Sequence, residues 1–164
     1  MPTQTYTPIA RQELASATAT VTFSSISGTY TDLVLVADNV GSSASVVDLR
    51  MRLNGNSTSL YSDTELFGNG SSALSDRHSN TTFAKLAYSG GSDKPLVIAN
   101  IMNYSNATTN KTVLIRDSAP TNAIVTRVCL YRNTAAITSF EISYSSGNIA
   151  AGATFTLYGI KAGS

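Results

Sequence analysis

The sequence is short of most residues that do chemistry. Of its 164 residues one is cysteine, one is histidine and none is tryptophan. A single thiol, Cys129, makes no intrachain disulfide and rules out a cysteine-rich metal site. It sits in the apolar stretch "IVTRVCLY", where a buried, inert thiol is expected rather than a nucleophile. Charge is scarce too. Asp, Glu, Lys and Arg make up 13% of the chain, with a formal net charge of +1, against about 25% charged residues in an ordinary domain. That balance creates no global field to draw in nucleic acid or an anionic membrane. No segment approaches the ~18 consecutive apolar residues of a membrane span. The start, "MPTQTYTPIARQEL", lacks the basic end and apolar run of a secretory signal. The expectation is a soluble protein made without classical secretion.

Catalytic motifs are missing as well. No G-x-S-x-G elbow is present. The glycines of "FGNGSS" and "YSGGSD" precede neither a Lys-Ser/Thr pair nor a helical pattern, so they read as turns rather than phosphate loops. His78, in "SDRHSN", has Asp76 and Asp63 as conceivable partners for base or metal chemistry, but without a nucleophile motif the run reads as a solvated loop. Asp63 and Glu65 would share a face if their stretch were extended, yet nothing else marks a hydrolytic carboxylate pair. Neither catalytic residues nor a cofactor or metal is assigned. Asn-x-Ser/Thr triplets are frequent, as chance provides in such a composition, and are expected to carry no glycan.

What is present is hydroxyl, amide and alternation. Ser, Thr and Asn fill roughly a third of the chain, a composition suited to strands and turns rather than to disorder. Period-two patterns recur. "VVDLRMRLNGN" sets Val47, Leu49, Met51 and Leu53 against Asp48, Arg50 and Arg52, then meets the turn signal Asn54-Gly55. "YTDLVLVADNV" is apolar on both sides, as for a strand covered on both faces. "TATVTF", "TTFAKLAY", "KPLVIANIMNY", "KTVLIRD", "AIVTRVCLY", "AITSFEISY" and "ATFTLYGIK" add further strands, separated by clusters such as "SISGTY", "FGNGSSALSDRHSN" and "SAPTN". No window carries a 3.6-residue apolar stripe. About eight to ten strands with regular turns imply one all-β domain, an antiparallel β-sandwich that is jelly-roll-like or another Greek-key sandwich. Residues 14–164 form that domain. Residues 1–13 are either an arm that docks on a neighbour or the first edge strand. The alternation runs almost to the C-terminus, so Phe155, Leu157 and Ile160 are expected to fill or seal the sandwich.

The ordered set "VTFSSISGTYTDLVLVAD", "LRMRLNGN" with "LYS" soon after, "MNYSNATTNKTVLIR", "NTAAITSFEI" and "AGATFTLYGIKA" resembles a group of small tailed-bacteriophage virion proteins. These serve as capsid decoration or cement proteins and as fibre or appendage modules. The resemblance spans about Val21 to Ala162 and is most specific at "YTDLVLV" and "FTLYGIK". It implies a jelly-roll-type sandwich without catalysis, made in the host cytoplasm and placed on the outer capsid surface of the virion. The implied partner is the major capsid protein, with self-association as a trimer or dimer and with neither nucleic acid nor membrane. The chain has no shaft, collagen-like repeat or heptads, which favours decoration over a fibre. A receptor-binding module for a host surface glycan is the alternative, resting on Tyr, Asn and Asp in the loops. Candidate partner contacts are Thr3, Tyr6, Arg50, Arg52, Tyr61, Arg77, His78 and Tyr104, chosen as arm residues, as an outward basic pair and as tyrosines or polar residues of turns.

Overall fold

A computed structural model describes residues 5–44, 47–89, 93–119 and 123–161. Its strands are β1 (Tyr6–Glu13), β2 (Thr20–Phe23), β3 (Asp32–Asp38), β4 (Val47–Leu53), β5 (Tyr61–Gly68), β6 (Ala73–Thr81), β7 (Ala84–Ser89), β8 (Leu96–Met102), β9 (Lys111–Ala119), β10 (Ala123–Tyr131), β11 (Phe140–Tyr144) and β12 (Thr154–Ile160). They form an antiparallel β-sandwich of unequal sheets. One sheet has eight strands in the order β1-β12-β3-β8-β9-β10-β5-β6; the other has four, β2-β11-β4-β7. Every named strand pairing is antiparallel.

Alternation builds the core, because successive side chains of a strand point to opposite faces. Val21, Phe23, Leu49, Met51, Leu53, Phe140 and Ile142 descend from the smaller sheet, and Leu33, Leu35, Val97, Ala99, Ile101, Val113, Ile115, Phe155 and Leu157 rise from the larger. Each fully buried Leu, Val, Ile or Phe contributes about 1.5–3 kcal/mol of apolar transfer. Asn54 and Gly55 both have positive φ, and the Asn56 amide bonds the Leu53 carbonyl at 3.0 Å. The turn is the one expected, but it lifts the chain from the small sheet to the large one instead of closing a hairpin. Asn54 also accepts bonds from the Thr138 and Ser139 amides and donates to the Ala136 carbonyl, anchoring the crossing.

The C-terminal strand lies inside the sheet, between β1 and β3. Phe155 and Leu157 are fully buried, whereas Ile160 faces outward with Tyr158. The two most specific segments of the sequence, "YTDLVLV" and "FTLYGIK", are therefore neighbouring strands. Their fit includes a close approach: the Tyr30 ring lies against the backbone of Gly159, where any Cβ would overlap it. The Lys161 ammonium sits 5.6 Å from the centre of the same ring.

Two expectations change. Twelve strands form among the described residues, more than the eight to ten expected. The cluster "FGNGSSALSDRHSN" is not one loop; it holds the end of β5, a turn at residues 69–72 and most of β6. β6 carries few β-formers and is exposed along nearly its whole length. It is held as a strand by backbone pairing to β5 rather than by burial. β3 turns Leu33, Leu35 and Ala37 to the core, and on its other side Val34 is also buried, at 4% exposure, with Val36 half-buried. Tyr6–Glu13, for which an arm was the other reading, is the edge strand β1 paired to β12.

Gly159→Ala is expected to cost about 1–3 kcal/mol through overpacking against Tyr30. Urea unfolding of the variant, alone and with Tyr30→Ala, checks this. The loss should shrink in the double variant, and an equal loss in both backgrounds would contradict the close approach.

Candidate functional site

Two features stand out where the smaller sheet stops at β7 and the larger continues through β5 and β6. The first is polar. Inward-facing residues of β5 and β6 that project past β7 meet no opposing apolar sheet, and besides Phe67 and Leu74 near the turn they include Asp63, Glu65, Asp76 and His78. Antiparallel register sets Asp63 opposite His78 and Glu65 opposite Asp76. His78 Nδ1 lies 3.0 Å from Asp63 Oδ2, and its Nε2 lies 3.5 Å from Asp76 Oδ2. Next to them Arg127 of β10 is 2% exposed. It donates to Glu65 at 2.5 Å, to the Leu86 carbonyl at 3.2 Å and to Asp117. The Lys85 ammonium of β7 reaches round the sheet edge, 3.6 Å from Asp48 and 3.7 Å from Glu65.

Glu65, Asp76 and His78 bring ligand atoms within 4.8 Å of one another, a set able to hold a divalent ion. Glu65, however, already faces two cations, and these oppose a third. The arrangement fits mutual neutralisation of buried charge, which a sheet interior requires. Burial pushes the Asp117 carboxyl up to about 6, with Arg127 pulling the other way. Its Oδ2 is buried without a hydrogen-bond partner. Burial also pushes the Cys129 thiol up to about 12, which makes it a poor nucleophile at neutral pH.

The second feature is apolar. On the outer face of the eight-stranded sheet lie Leu66 (57% exposed), Ile124 (76%), Val128 (50%), Leu96, Met102 and Leu130. Half-buried Ile98 and Leu114 fill the spaces between them. Register gathers them into cross-strand rows: Thr64–Val128–Leu114–Asn100, Leu66–Thr126–Arg116–Ile98 and Ser62–Leu130–Thr112–Met102. Arg116 is the one charge within this stretch of β8, β9, β10 and β5. A shallow open depression of about 400 Å³, floored by Leu66, Leu96, Ile98, Ile124 and Thr126, dips into its end. The opposite outer face, on the four-stranded sheet, carries Asp48, Arg50, Arg52, Lys85 and Glu141, with Arg52 paired to Glu141 at 3.4 Å.

The candidate contact residues do not form one site. Thr3 lies outside the described residues. Tyr6 and Arg77 lie on the outer face of the large sheet at opposite edges, and Arg50 and Arg52 on the outer face of the small one. The Arg50 guanidinium sits 4.3 Å above the Phe83 ring. His78 is not on a solvated loop but on β6, facing the carboxylate cluster. Tyr61 and Tyr104 are fully buried, so they are not contacts for a partner. Tyr61 stacks on Tyr131 at 4.6 Å and bonds the Leu53 amide and Asn56 carbonyl; Tyr104 bonds the Ser27 carbonyl and Tyr30 amide. Both close the ends of the core, since a buried phenol needs a polar partner that strand-end backbone provides. The apolar face escaped the sequence reading, although the alternating Ile124, Val128 and Leu130 carried its signal.

No protein-family model and no curated protein matches the chain. Among solved structures it is similar to a marine PL-14 alginate lyase from Aplysia kurodai, at 10% identity over 95% of this chain and 85% of that one, with a TM-score of 0.34. A likeness of that size carries no argument about activity.

The Asp117 carboxyl binds its proton more tightly folded than unfolded. Its contribution to stability is thus present below about pH 4 and lost as pH rises through about 6. Between those values wild type should lose stability relative to Asp117→Asn, by at most about 3 kcal/mol. Urea midpoints across pH 4–7 measure this, and parallel curves would contradict it.

Proposed function

We propose that this chain is a non-catalytic structural subunit of a virion, a capsid decoration protein. It binds and stabilises the major capsid protein lattice on the outer capsid surface. The observation that carries the reading is the contrast between the two outer faces of the sandwich. One is broad, apolar and almost free of charge; the other is studded with Asp48, Arg50, Arg52, Lys85 and Glu141. Contiguous exposed apolar surface on this scale marks a surface made to be covered by protein. A subunit with two chemically different faces can engage two neighbours at once, and repetition over many copies turns modest contacts into strong retention.

The ordered motifs that resemble small phage virion proteins support the same reading. They map to framework, to β3, β12 and the Tyr30–Gly159 contact, rather than to a reactive centre. The polar cluster around His78 is satisfied by internal charge pairing and is given a structural role.

Cosedimentation of purified protein with undecorated heads of the parent phage, and separately with host cells, tests the proposal. Saturable binding to heads at a fixed ratio per capsomer is expected, together with a higher temperature of head rupture. Binding to cells but not to heads would overturn it in favour of the glycan-binding alternative.

A further inference from the structure

We propose that the outer face of β8, β9, β10 and β5 is the contact surface for a second copy of this chain, packed face to face about a two-fold axis. Three properties of the face select this occupant.

The first is area. With strands about 4.8 Å apart and seven residues long at about 3.4 Å each, the four strands β8, β9, β10 and β5 cover about 460 Å² in plan, and the six that overlap about an axis between β9 and β10, from β3 to β6, about 690 Å². Side-chain relief brings that to the scale of the roughly 800 Å² per partner of a standard stable interface.

The second is self-complementarity. A two-fold interface sets the same patch against itself, so a face with strong charge of one sign would repel its copy. Here the four strands carry one outward charge, Arg116, which bonds Asn100 at 3.4 Å within its own sheet, while at the margin Arg77 borders Val128 and Leu130 and Arg132 donates to the Ser62 hydroxyl at 2.6 Å. An axis running parallel to the strands between β9 and β10 keeps Arg116 off its own copy. It sets Leu114 of each copy over Val128 of the other, Ile98 over Leu66 and Arg116 over Thr126. Arg77 of each copy then lies over Val34 of the other, at a level between Asp32 and Asp38. Two sheets stacked in this way stand about 10 Å apart at a small angle.

The third is that both edges of the sheet are guarded against the alternative of strand-to-strand joining. β1 carries Pro8, a register shift between Pro8 and Ala10, and an Arg11–Glu13 ion pair at 2.9 Å. β6 carries Asp76, Arg77 and His78 and meets β5 through a register shift at Tyr61/Ser62. Proline, charge and bulges are the devices that keep sheet edges from pairing. The outer face of β8, β9, β10 and β5 has no proline, bulge or ion pair of this kind.

Sedimentation equilibrium of the full chain, from low to high micromolar, tests this. Wild type should fit a monomer–dimer equilibrium built on the 17.2 kDa chain. Val128→Glu and Leu66→Glu, each placing like charge inside the contact at an exposed site, should weaken it ~100-fold or more. Far-UV circular dichroism should be unchanged. Thr22→Glu, on the opposite face, should leave the dimer intact and so separates a surface effect from a general effect of added charge. A wild-type monomer at every concentration, a trimer, or a dimer that survives both substitutions would overturn the proposal. None of these outcomes bears on binding to heads, which the cosedimentation reads separately.

Discussion

A four-stranded sheet cannot cover an eight-stranded one, and most of this molecule follows from that mismatch. Where the sheets overlap, alternation supplies a dry core from Phe23, Leu49, Met51, Phe140, Leu33, Leu35, Phe155 and Leu157. Past β7 the inward positions of the larger sheet lose their apolar partner. There the chain places Asp63, Glu65, Asp76 and His78 and ties them to the interior through Arg127 and Lys85. An unpaired charge in that position would be costly, so the carboxylates and cations occur as a mutually neutralising group.

The same mismatch gives the sandwich two unlike outer faces. The narrow sheet shows water the alternating charges of β4 together with Lys85 and Glu141. The wide sheet shows leucine, isoleucine, valine and hydroxyl side chains. Antiparallel sheets with one solvated face normally alternate apolar with polar. β8 and β10 depart from that rule, with Leu96, Ile98, Met102, Ile124, Val128 and Leu130 all outward. Such a face is stable in a lattice or an oligomer, where it is covered, and it links the fold to the structural role proposed for the chain.

Much of the fold was legible because it is written in period two. The strands that build the overlapped core alternate clearly, and the Asn54-Gly55 turn is where its residues place it. β5 and β6 were harder to see. The inward residues at their centres, Asp63, Glu65, Asp76 and His78, are charged, so a hydrophobic pattern does not reveal them, and β6 owes its conformation to hairpin pairing with β5. For the same reason His78 read as loop, although the i, i+2 spacing of Asp63 with Glu65 and of Asp76 with His78 held the arrangement in outline. Tyr61 and Tyr104 show the converse. A tyrosine beside a turn looks the same in sequence whether its hydroxyl meets solvent or a buried strand-end carbonyl, and here it meets the carbonyl. The apolar face needed knowledge of which side of β10 was already taken by Cys129 and Tyr131.

The central claim is that the wide sheet's outer face is covered by protein in the working state. Carbene footprinting of the full chain across a dilution series reads this side chain by side chain. Labelling at Leu66, Leu114 and Val128 should fall as concentration rises, while labelling at Thr22 and Ser143 stays constant. Constant labelling at Leu66 and Val128 throughout, or protection of the narrow sheet instead, would contradict it.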